Sequence, residues 1–401
     1  MTDIVFLIEH KDREVGLVDK IARKITQETG LSTCVLSLIF DLHRLMGMKP
    51  KLVVVPAALS QETWPLRFVR EVYDESVPIV SLTWEQMLFG IMEYYKRPRD
   101  EFIKQKVRHI AWNKGFKSYL MSHGVLEENI HICGNPKLED MTYSAEDLRK
   151  CREKISGVVD LSSYRQIVFM PMNLSWAWHT DEQVQAKINQ GFPTEAGWEY
   201  RDFAQKNLAA FIEFFISMAQ REDRLIIVRP HPSIIPAQYI EAFRKRGFDI
   251  PDNIKITKEF TVREWTVVAD LIGSSWSTVC YDAQSIGKAA FLYAPYPRPE
   301  WMDTWWTNAT PNFKTPAEFE AFASTARSEV IPKESSLIFS DEVARTLPRL
   351  ITGNKTHITF SKISAASWKI IFKRFLLGYL LQFGVRPDKK PDYFKPLMHK
   401  R

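Results

Sequence analysis

Short apolar strands that stop abruptly at polar residues, each followed by a segment with helical spacing, constrain the fold of this chain most strongly. The clearest strand, Leu225–Val228, ends at Arg229-Pro230-His231-Pro232. Another, 270–273, ends at the Ser/Thr-rich segment 274–278, which opens a predicted helix. Strands that alternate with helices imply βαβ units and a mostly parallel sheet. The sequence therefore predicts an α/β fold.

The alternation falls into two halves. With 401 residues, the chain is too long for one ordinary hydrophobic core, and two domains are expected. A break at Gly134-Asn135-Pro136 closes the first half, and the apolar strand 166–170 opens the second. A helix is expected around 87–95 in the first half, and a surface loop rich in Trp, Asn and Thr over Trp301–Pro311 in the second. The predicted parts are an N-terminal Rossmann-like domain (1–140), a linker (141–165), a C-terminal Rossmann-like domain (166–355) and a basic tail (356–401).

Charge is distributed unevenly along the chain. The net charge is +6, yet the segment from Lys362 to Arg401 alone holds ten Lys/Arg and two Asp/Glu. The rest of the chain then carries 44 basic and 46 acidic residues, which argues against a nucleic-acid groove in the body. A basic tail is instead typical of a segment that lies near anionic lipid.

The expected location is the cytoplasm, with the tail on the inner face of the cytoplasmic membrane. The four cysteines show no metal-binding spacing and indicate a reducing compartment. The first residues, Met1–Leu7, are not expected to be a signal peptide, since the first strand is predicted over 4–8, and no apolar run is long enough to span a bilayer. Within the tail, the apolar segment 367–383 predicts a helix that either packs on the domains or lies in a membrane interface.

Polar residues at the predicted strand ends form the candidate binding site. In open α/β sheets, ligands lie outside the carboxyl ends of the strands. Arg229 and His231 could bind phosphate, since guanidinium matches phosphate oxygens and imidazole can add a hydrogen bond. The alternative is a strand end at which His231 bonds only to backbone. A second group follows two other strands and could bind phosphate or simply cap a helix: Asn173, Ser274, Ser275, Ser277 and Thr278.

Two glutamates follow strands of the first half and are candidates for a general base. A carboxylate at a strand end can accept the proton of a hydroxyl that attacks a substrate. Glu85 is the first candidate and Glu9 the second. Either could instead be a first-turn glutamate favoured by the helix dipole.

The order of the motifs resembles that of a known group of proteins. Gly134-Asn135-Pro136, then Arg229-Pro230-His231-Pro232, then 269–275 look like bacterial surface-polysaccharide biosynthesis proteins of the GT-B fold, in particular the Kdo/ulosonic-acid transferase-like group with an "HP" motif. The opening segment 9–14 is similar to the N-terminal pattern of the same group. The chain also resembles the CDP-glycerol glycerophosphotransferases. It departs from the group at Lys137-Leu138-Glu139, where Arg-Phe-Asp is usual.

The resemblance implies two Rossmann-like domains facing across a cleft, followed by a helical basic tail. It also implies a nucleotide on the C-terminal domain, with Arg229 and His231 near its phosphate, and an acceptor on the N-terminal domain. No cofactor or metal is implied.

The predicted function is transfer of an ulosonic acid (Kdo or a sialic-acid-like sugar) from a CMP-linked donor to a surface polysaccharide or lipid-linked glycan. The alternatives are a CDP-glycerol-type polyol-phosphate transferase, a nucleotide-sugar 2-epimerase, and a non-catalytic nucleotide- or glycan-binding scaffold.

Overall fold

The computed structural model describes most of the chain as two compact units. The described residues are 2–9, 11–38, 40–73, 75–88, 90, 93, 96–141, 143–189, 192–327, 338–353 and 362–382. The first unit comprises 1–88, 92–139 and 335–401, and the second comprises 89–91 and 140–334. The second unit is therefore inserted, along the chain, between two parts of the first.

The first unit is built on a parallel sheet. Among the described residues this sheet has six strands, in the order β2-β1-β3-β4-β5-β6. The strands are β1 (Ile4–Ile8), β2 (Thr33–Ser37), β3 (Leu52–Val55), β4 (Ile79–Ser81), β5 (Arg108–Ala111) and β6 (Ile130–Ile132). Strands β1, β3 and β4 are fully buried, as expected for a parallel sheet that is covered on both faces.

Helices from both ends of the chain cover this sheet. They are α1 (Lys11–Thr29), α2 (Leu66–Tyr73), α3 (Glu101–Gln105), α4 (Lys114–Ser122), α14 (Phe339–Arg349) and α15 (Ala365–Gln382). A further helix, α5 (Pro136–Met141), begins in the first unit and ends in the second. The apolar stripe of α1, with Val18, Ile21 and Ile25, packs in one buried cluster with Val343 and Leu347 of α14.

The second unit repeats the architecture. Its described residues form a parallel sheet of six strands in the order β12-β11-β10-β7-β8-β9. The strands are β7 (Gln166–Pro171), β8 (Arg224–Arg229), β9 (Ile254–Ile256), β10 (Leu271–Ser274), β11 (Ala289–Tyr293) and β12 (Asn312–Phe313). The helices are α6 (Ala145–Ser156), α7 (Asp181–Asn189), α8 (Thr194–Ala219), α9 (Pro236–Lys245), α10 (Val262–Val268), α11 (Thr278–Gln284), α12 (Trp305–Ala309) and α13 (Pro316–Thr325).

A glycine permits the closest packing in this second sheet. A Cβ atom at Gly273 of β10 would lie 2.1 Å from the ring of Phe291 on the neighbouring strand β11. Phe291 is fully buried, and its ring lies 4.9 Å from that of Phe319 on α13. The aromatic core of the second unit therefore occupies the space that a side chain at position 273 would need.

The predicted α/β class with two parallel-sheet domains is confirmed, and the observed boundaries differ in detail. The predicted C-terminal domain extends to residue 355, whereas α14 packs with α1 of the first unit. Trp301–Pro311, expected to be a surface loop, contains α12 and the buried Trp306. A helix was expected around 87–95. Residues 87 and 88 are not helical, 90 and 93 have a 3-10 helical conformation, and 89, 91, 92, 94 and 95 lie outside the described residues.

The predicted tail helix is present as α15 over Ala365–Gln382. One of its faces packs on the first unit, through Ile371 among other residues. The basic segment 383–401 lies outside the described residues. Among the helices of the described residues, none is both long enough and apolar enough to cross a membrane.

Candidate functional site

The candidate residues of the second unit meet at the carboxyl edge of its sheet. Strand β7 lies between β8 and β10, and Pro171 at its end pairs with Arg229 at the end of β8. The Ser274 hydroxyl donates to the Pro171 carbonyl at 2.7 Å, and the Asn173 amide donates to the Trp276 carbonyl at 3.0 Å. The tips of β8 and β10 are thus about 10 Å apart, two strand spacings, with β7 between them.

Arg229 supports a neighbouring turn. Its Nη1 donates to the carbonyl of Phe260 at 2.6 Å and, more weakly, to that of Glu259 at 3.4 Å. Phe260 has a φ of 62°, a left-handed conformation that is uncommon for a bulky residue. The guanidinium therefore stabilises a strained turn between β9 and α10, in addition to any contact with a ligand.

His231 has a defined protonation state. Its Nδ1 accepts a hydrogen bond from the Ser233 amide at 3.2 Å and lies 2.7 Å from the Ser233 hydroxyl. Because Nδ1 is an acceptor, the neutral ring carries its proton on Nε2. Burial, and to a smaller extent the charge of Lys258, lower the pKa of His231 to about 4. At neutral pH the ring is a neutral hydrogen-bond donor through Nε2.

Lys258 adds a cation that no sequence motif indicated. It follows β9, and its ammonium donates to the Pro232 carbonyl at 2.9 Å, next to His231. The adjacent tips of β8 and β9 therefore carry Arg229, His231 and Lys258 together. Only the parallel pairing of these two strands reveals the cluster, since the two tips are separated by helix α9 in the sequence.

The hydroxyl residues after β10 play different parts. Ser274 is fully buried and uses its hydroxyl on Pro171, which ties β10 to β7. Ser277 caps α11 by accepting from the amide of Val279 at 3.3 Å, and Thr278 is the half-buried first residue of that helix. Ser275 is fully buried, and its hydroxyl has no hydrogen-bond partner within the described part of the chain.

Glu85 of the first unit is exposed because the chain turns sharply after β4. Thr83 has a φ of 45°, in the left-handed region that is costly for a β-branched residue. Gln86 is buried and bonds on both sides, donating to the Ile110 carbonyl at 2.8 Å and accepting from the Trp112 amide at 2.7 Å. This turn anchors the residues on either side of Glu85 and leaves its carboxylate half exposed.

Two lysines lie near Glu85. Lys137, in the segment after Gly134-Asn135-Pro136, places its ammonium 3.1 Å from the Glu85 carboxylate and 5.6 Å from the Trp112 ring centroid. Burial lowers the pKa of Lys96 to about 8, an effect that the charge of Glu85 opposes. Strands β4, β5 and β6 are neighbours, so their tips bring an acid and two amines to one part of the carboxyl edge.

Glu9 lies at the end of β1 and is exposed. Its amide donates to the carboxylate of Glu14 at 2.9 Å, and Glu14 is fully buried at the start of α1. Glu14 therefore fixes the turn between strand and helix. Strand β3 separates β1 from β4, so the tips that carry Glu9 and Glu85 are about 10 Å apart along the sheet.

The tryptophans that could stack on a sugar pack on other aromatic rings. The Trp176 ring lies 5.0 Å from that of Tyr200, and the Trp178 ring lies 5.0 Å from that of Tyr239. Trp276 is buried and donates to the Met302 carbonyl at 3.1 Å. In the described residues, no group of three or more His, Cys, Asp or Glu side chains could hold a metal ion.

Comparison with known proteins identifies the fold. No protein-family model matches the chain, and no curated protein sequence is significantly similar. The structure is similar to the wall teichoic acid polymerase TagF, H444N variant, with a TM-score of 0.52, 12% identity, and 95% of this chain and 90% of that chain covered.

It is also similar to two UDP-GlcNAc 2-epimerases. The enzyme from Neisseria meningitidis, bound to UDP-GlcNAc, gives a TM-score of 0.51 and 11% identity, with 87% of this chain and 100% of that chain covered. The enzyme from Methanocaldococcus jannaschii, in complex with UDP-GlcNAc and UDP, gives a TM-score of 0.50 and 14% identity, with 87% of this chain and 99% of that chain covered. At these identities the likeness shows the fold alone, a two-domain α/β fold of the GT-B type.

Proposed function

We propose that this chain is a transferase that takes a sugar from a nucleotide-activated donor, with CMP-linked ulosonic acids as the first donor class to test. The observation that carries the proposal is the cluster at the tips of β8 and β9. There a neutral imidazole with its proton on Nε2 lies near Lys258, on a strand tip that also carries Arg229. Such a cluster suits a phosphate ester that gains negative charge as the sugar departs.

The proposed reaction needs a base and groups that stabilise the leaving phosphate. A base of the first unit, Glu85 or Glu9, accepts the proton of an acceptor hydroxyl, whose oxygen forms a bond to the anomeric carbon. The bond from that carbon to the phosphate oxygen breaks, and the nucleotide leaves with the electron pair. Arg229, Lys258 and His231 of the second unit stabilise its added charge. Asn173, Ser275 and Thr278, at the tips of β7 and β10, are the proposed further contacts to the nucleotide.

His231 fits donation better than proton abstraction. Its Nδ1 already accepts the Ser233 amide, so uptake of a proton there would break that bond. The Nε2 proton, in contrast, can be donated to a phosphate oxygen without any rearrangement. We therefore assign His231 to the leaving phosphate and not to the acceptor hydroxyl.

A CDP-glycerol-type polyol-phosphate transferase is the second candidate. Among the three similar structures described above, the teichoic acid polymerase covers 95% of this chain, and each epimerase covers 87%. In that reaction a hydroxyl attacks the phosphoryl group and the nucleotide leaves as CMP. His231 would then contact the phosphoryl group under attack.

A thermal-shift panel with CMP, CDP, UDP, GDP and their sugars separates these candidates. A shift selective for CMP and CMP-sugars supports ulosonic-acid transfer, and a shift for CDP and CDP-glycerol supports the second candidate. Inversion at C2 of the sugar of UDP-GlcNAc, followed by NMR without any acceptor, would identify an epimerase. His231→Ala should weaken binding by roughly tenfold to 150-fold, as expected for a lost hydrogen bond to a charged group.

His123→Ala is the matched control, since His123 is half-buried and also has its Nδ1 near a neighbouring serine hydroxyl, at 3.2 Å. It should bind nucleotide as the unaltered protein does. An unchanged affinity in His231→Ala would remove the imidazole from the site, and binding without any turnover would favour a scaffold.

A further inference from the structure

The start of helix α15 is fixed to the body of the first unit. The Ser364 hydroxyl accepts from the Ser367 amide at 3.2 Å and so caps the helix. The carboxylate of Glu71, on α2, accepts from the Ser364 amide at 3.3 Å. An acidic group at the positive end of a helix is favourable. The helix is therefore held by the folded unit at its first turn.

One face of α15 packs on the same unit. Ile371 and Ser367 are buried, and Arg374 donates to the Leu38 carbonyl at 2.9 Å. The Arg374 guanidinium also lies 5.1 Å from the ring centroid of Trp64. Ser367, Ile371 and Arg374 follow one another along α15 at intervals of four and three residues, so they lie on one face of the helix, the packed face.

The adjoining face is apolar and exposed. Its side chains are between 44% and 68% exposed: Trp368 44%, Phe372 68%, Phe375 48% and Leu376 46%. At about 100° per residue, these four positions fall within an arc of roughly 100° beside the packed face. Single exposed apolar residues are ordinary, but large aromatic and aliphatic side chains gathered on one helix face mark an interaction surface.

The charge beside this face indicates what it binds. Lys369 and Lys373 are exposed and follow the apolar arc directly around the helix. The sequence of α15 contains no Asp or Glu, and the 19 residues after Gln382 carry six Lys/Arg and two Asp. This combination fits a partner that has an apolar interior beneath a negatively charged surface, and an anionic bilayer has both.

We propose that α15 is an interfacial helix that docks the protein on an anionic lipid surface. Trp368, Phe372 and Leu376 enter the boundary of the acyl chains, while Lys369 and Lys373 pair with lipid headgroups. Since the helix is already folded and attached, docking requires no folding step.

Docking would also place one edge of the first sheet near the bilayer. The Leu38 amide bonds to the Ile8 carbonyl at 2.9 Å, so Arg374 reaches the loops at the carboxyl ends of β1 and β2. The charge of Glu9 acts on the Arg374 guanidinium there. If the proposed function holds, a lipid-linked acceptor would meet the unit at this edge. The docking proposal itself stands without that function.

Flotation of the full chain with lipid vesicles tests the docking. The unaltered protein should float with vesicles of phosphatidylcholine and phosphatidylglycerol, weakly with phosphatidylcholine alone, and less as salt is added. Phe372→Ser with Leu376→Ser should lower vesicle affinity at least about tenfold. Lys369→Glu with Lys373→Glu should lower it about 30-fold or more and reduce its dependence on salt.

Matched controls change the same properties on the second unit. Ile240→Ser removes a comparably exposed apolar side chain from α9, and Lys206→Glu with Lys245→Glu makes the same change of net charge at two other exposed lysines. The vesicle affinity of both control variants should stay within about twofold of that of the unaltered protein.

Three results would overturn the proposal. One is unchanged flotation of both α15 variants. A second is a change from dimer to monomer, measured by light scattering, with unchanged flotation, because a second copy would then cover the face. A third is loss of flotation only on truncation after Gln382, since the tail alone would then bind lipid.

Discussion

The Ser274 hydroxyl donates to the Pro171 carbonyl at 2.7 Å, and this bond joins the tip of β10 to the tip of β7. Because Pro171 also pairs with Arg229, the positions of Ser274 and Arg229 are set through one residue. The bond maintains the spacing of the carboxyl edge, and it occupies the hydroxyl that the sequence offered as a phosphate ligand.

Ser274→Ala should therefore lower stability and leave nucleotide affinity nearly unchanged. Loss of a buried hydrogen bond costs about 1 to 2 kcal/mol, or roughly 2–8 °C in Tm for a domain of this size. Ser275→Ala is the control, since the Ser275 hydroxyl has no partner among the described residues, and it should change Tm less. Loss of the nucleotide-induced shift in Ser274→Ala at an unchanged Tm would instead make the hydroxyl a ligand contact.

The ring of His231 should stay neutral from about pH 8 to about pH 5. Burial and Lys258 together lower its pKa to about 4, which imidazole resonances can measure by NMR, with His231→Gln for assignment. Lys258→Met removes a positive charge and should raise the pKa of His231. Lys245→Met, on the exposed surface of α9, should leave it unchanged. A ring that titrates near its ordinary pKa would contradict the neutral-donor assignment.

His109 should make the protein less stable as pH falls from about 6.5 to about 4. Burial lowers the pKa of His109 to about 4 in the folded state, and its Nε2 lies 3.0 Å from the Ile103 carbonyl. Within this window the unfolded chain binds the proton and the folded chain does not, so acid favours unfolding by up to about 3 kcal/mol. Urea unfolding at several pH values should show a shallower decline of stability with falling pH in His109→Gln than in the unaltered protein.

Gly273→Ala should destabilise the second unit by about 3 kcal/mol, because the new methyl group meets a buried ring that has little room to move. The ring of Phe291 would lie 2.1 Å from the added carbon. Gly16→Ala is the control, and it should change stability in the opposite direction. No described atom lies within 4 Å of a Cβ at that position in α1, so the substitution should stabilise by about 0.5 to 1 kcal/mol. Calorimetry would measure both, and a neutral Gly273→Ala would mean that β10 and β11 can separate.

Glu85→Gln should reduce turnover by about 10²- to 10⁴-fold if Glu85 is the base, with a loss of stability below about 1 kcal/mol. The small cost follows from the half-exposed ion pair with Lys137. Single-turnover rates with the donor identified by thermal shift provide the measurement. Lys137→Met breaks the same ion pair and retains the carboxylate, so it should keep most of the rate. Full activity in Glu85→Gln beside an inactive Glu9→Gln would assign the base to Glu9.

Strand positions could be predicted because apolar runs and their polar ends are local properties. The predicted first strand, 4–8, matches β1, and the predicted strand 225–228 lies within β8. Strand β9, Ile254–Ile256, was missed because it is short, only partly buried and interrupted by Lys255. Helix α12 was missed because its Trp, Asn and Thr residues are typical of loops, although Trp306 is buried near Trp276.

The candidate site was less predictable, since the residues that come together there are far apart in the sequence. The pattern around Arg229 and His231 indicated a site, but nothing local placed Lys258 beside them or Lys137 beside Glu85. Burial of Glu14 likewise depends on the turn into α1. The periodicity of α14 predicts a helix and gives no information on which of two cores it covers.

The way α14 completes the first unit has a consequence for producing the two units separately. A fragment that ends near residue 140 would lack Phe339, Val343 and Leu347 and would leave Val18, Ile21 and Ile25 of α1 facing water. We expect such a fragment to aggregate. In a permuted gene, the segment from residue 338 onward could be joined to the N-terminus through a flexible peptide. Helix α14 would then cover α1 again, and the first unit could be studied alone.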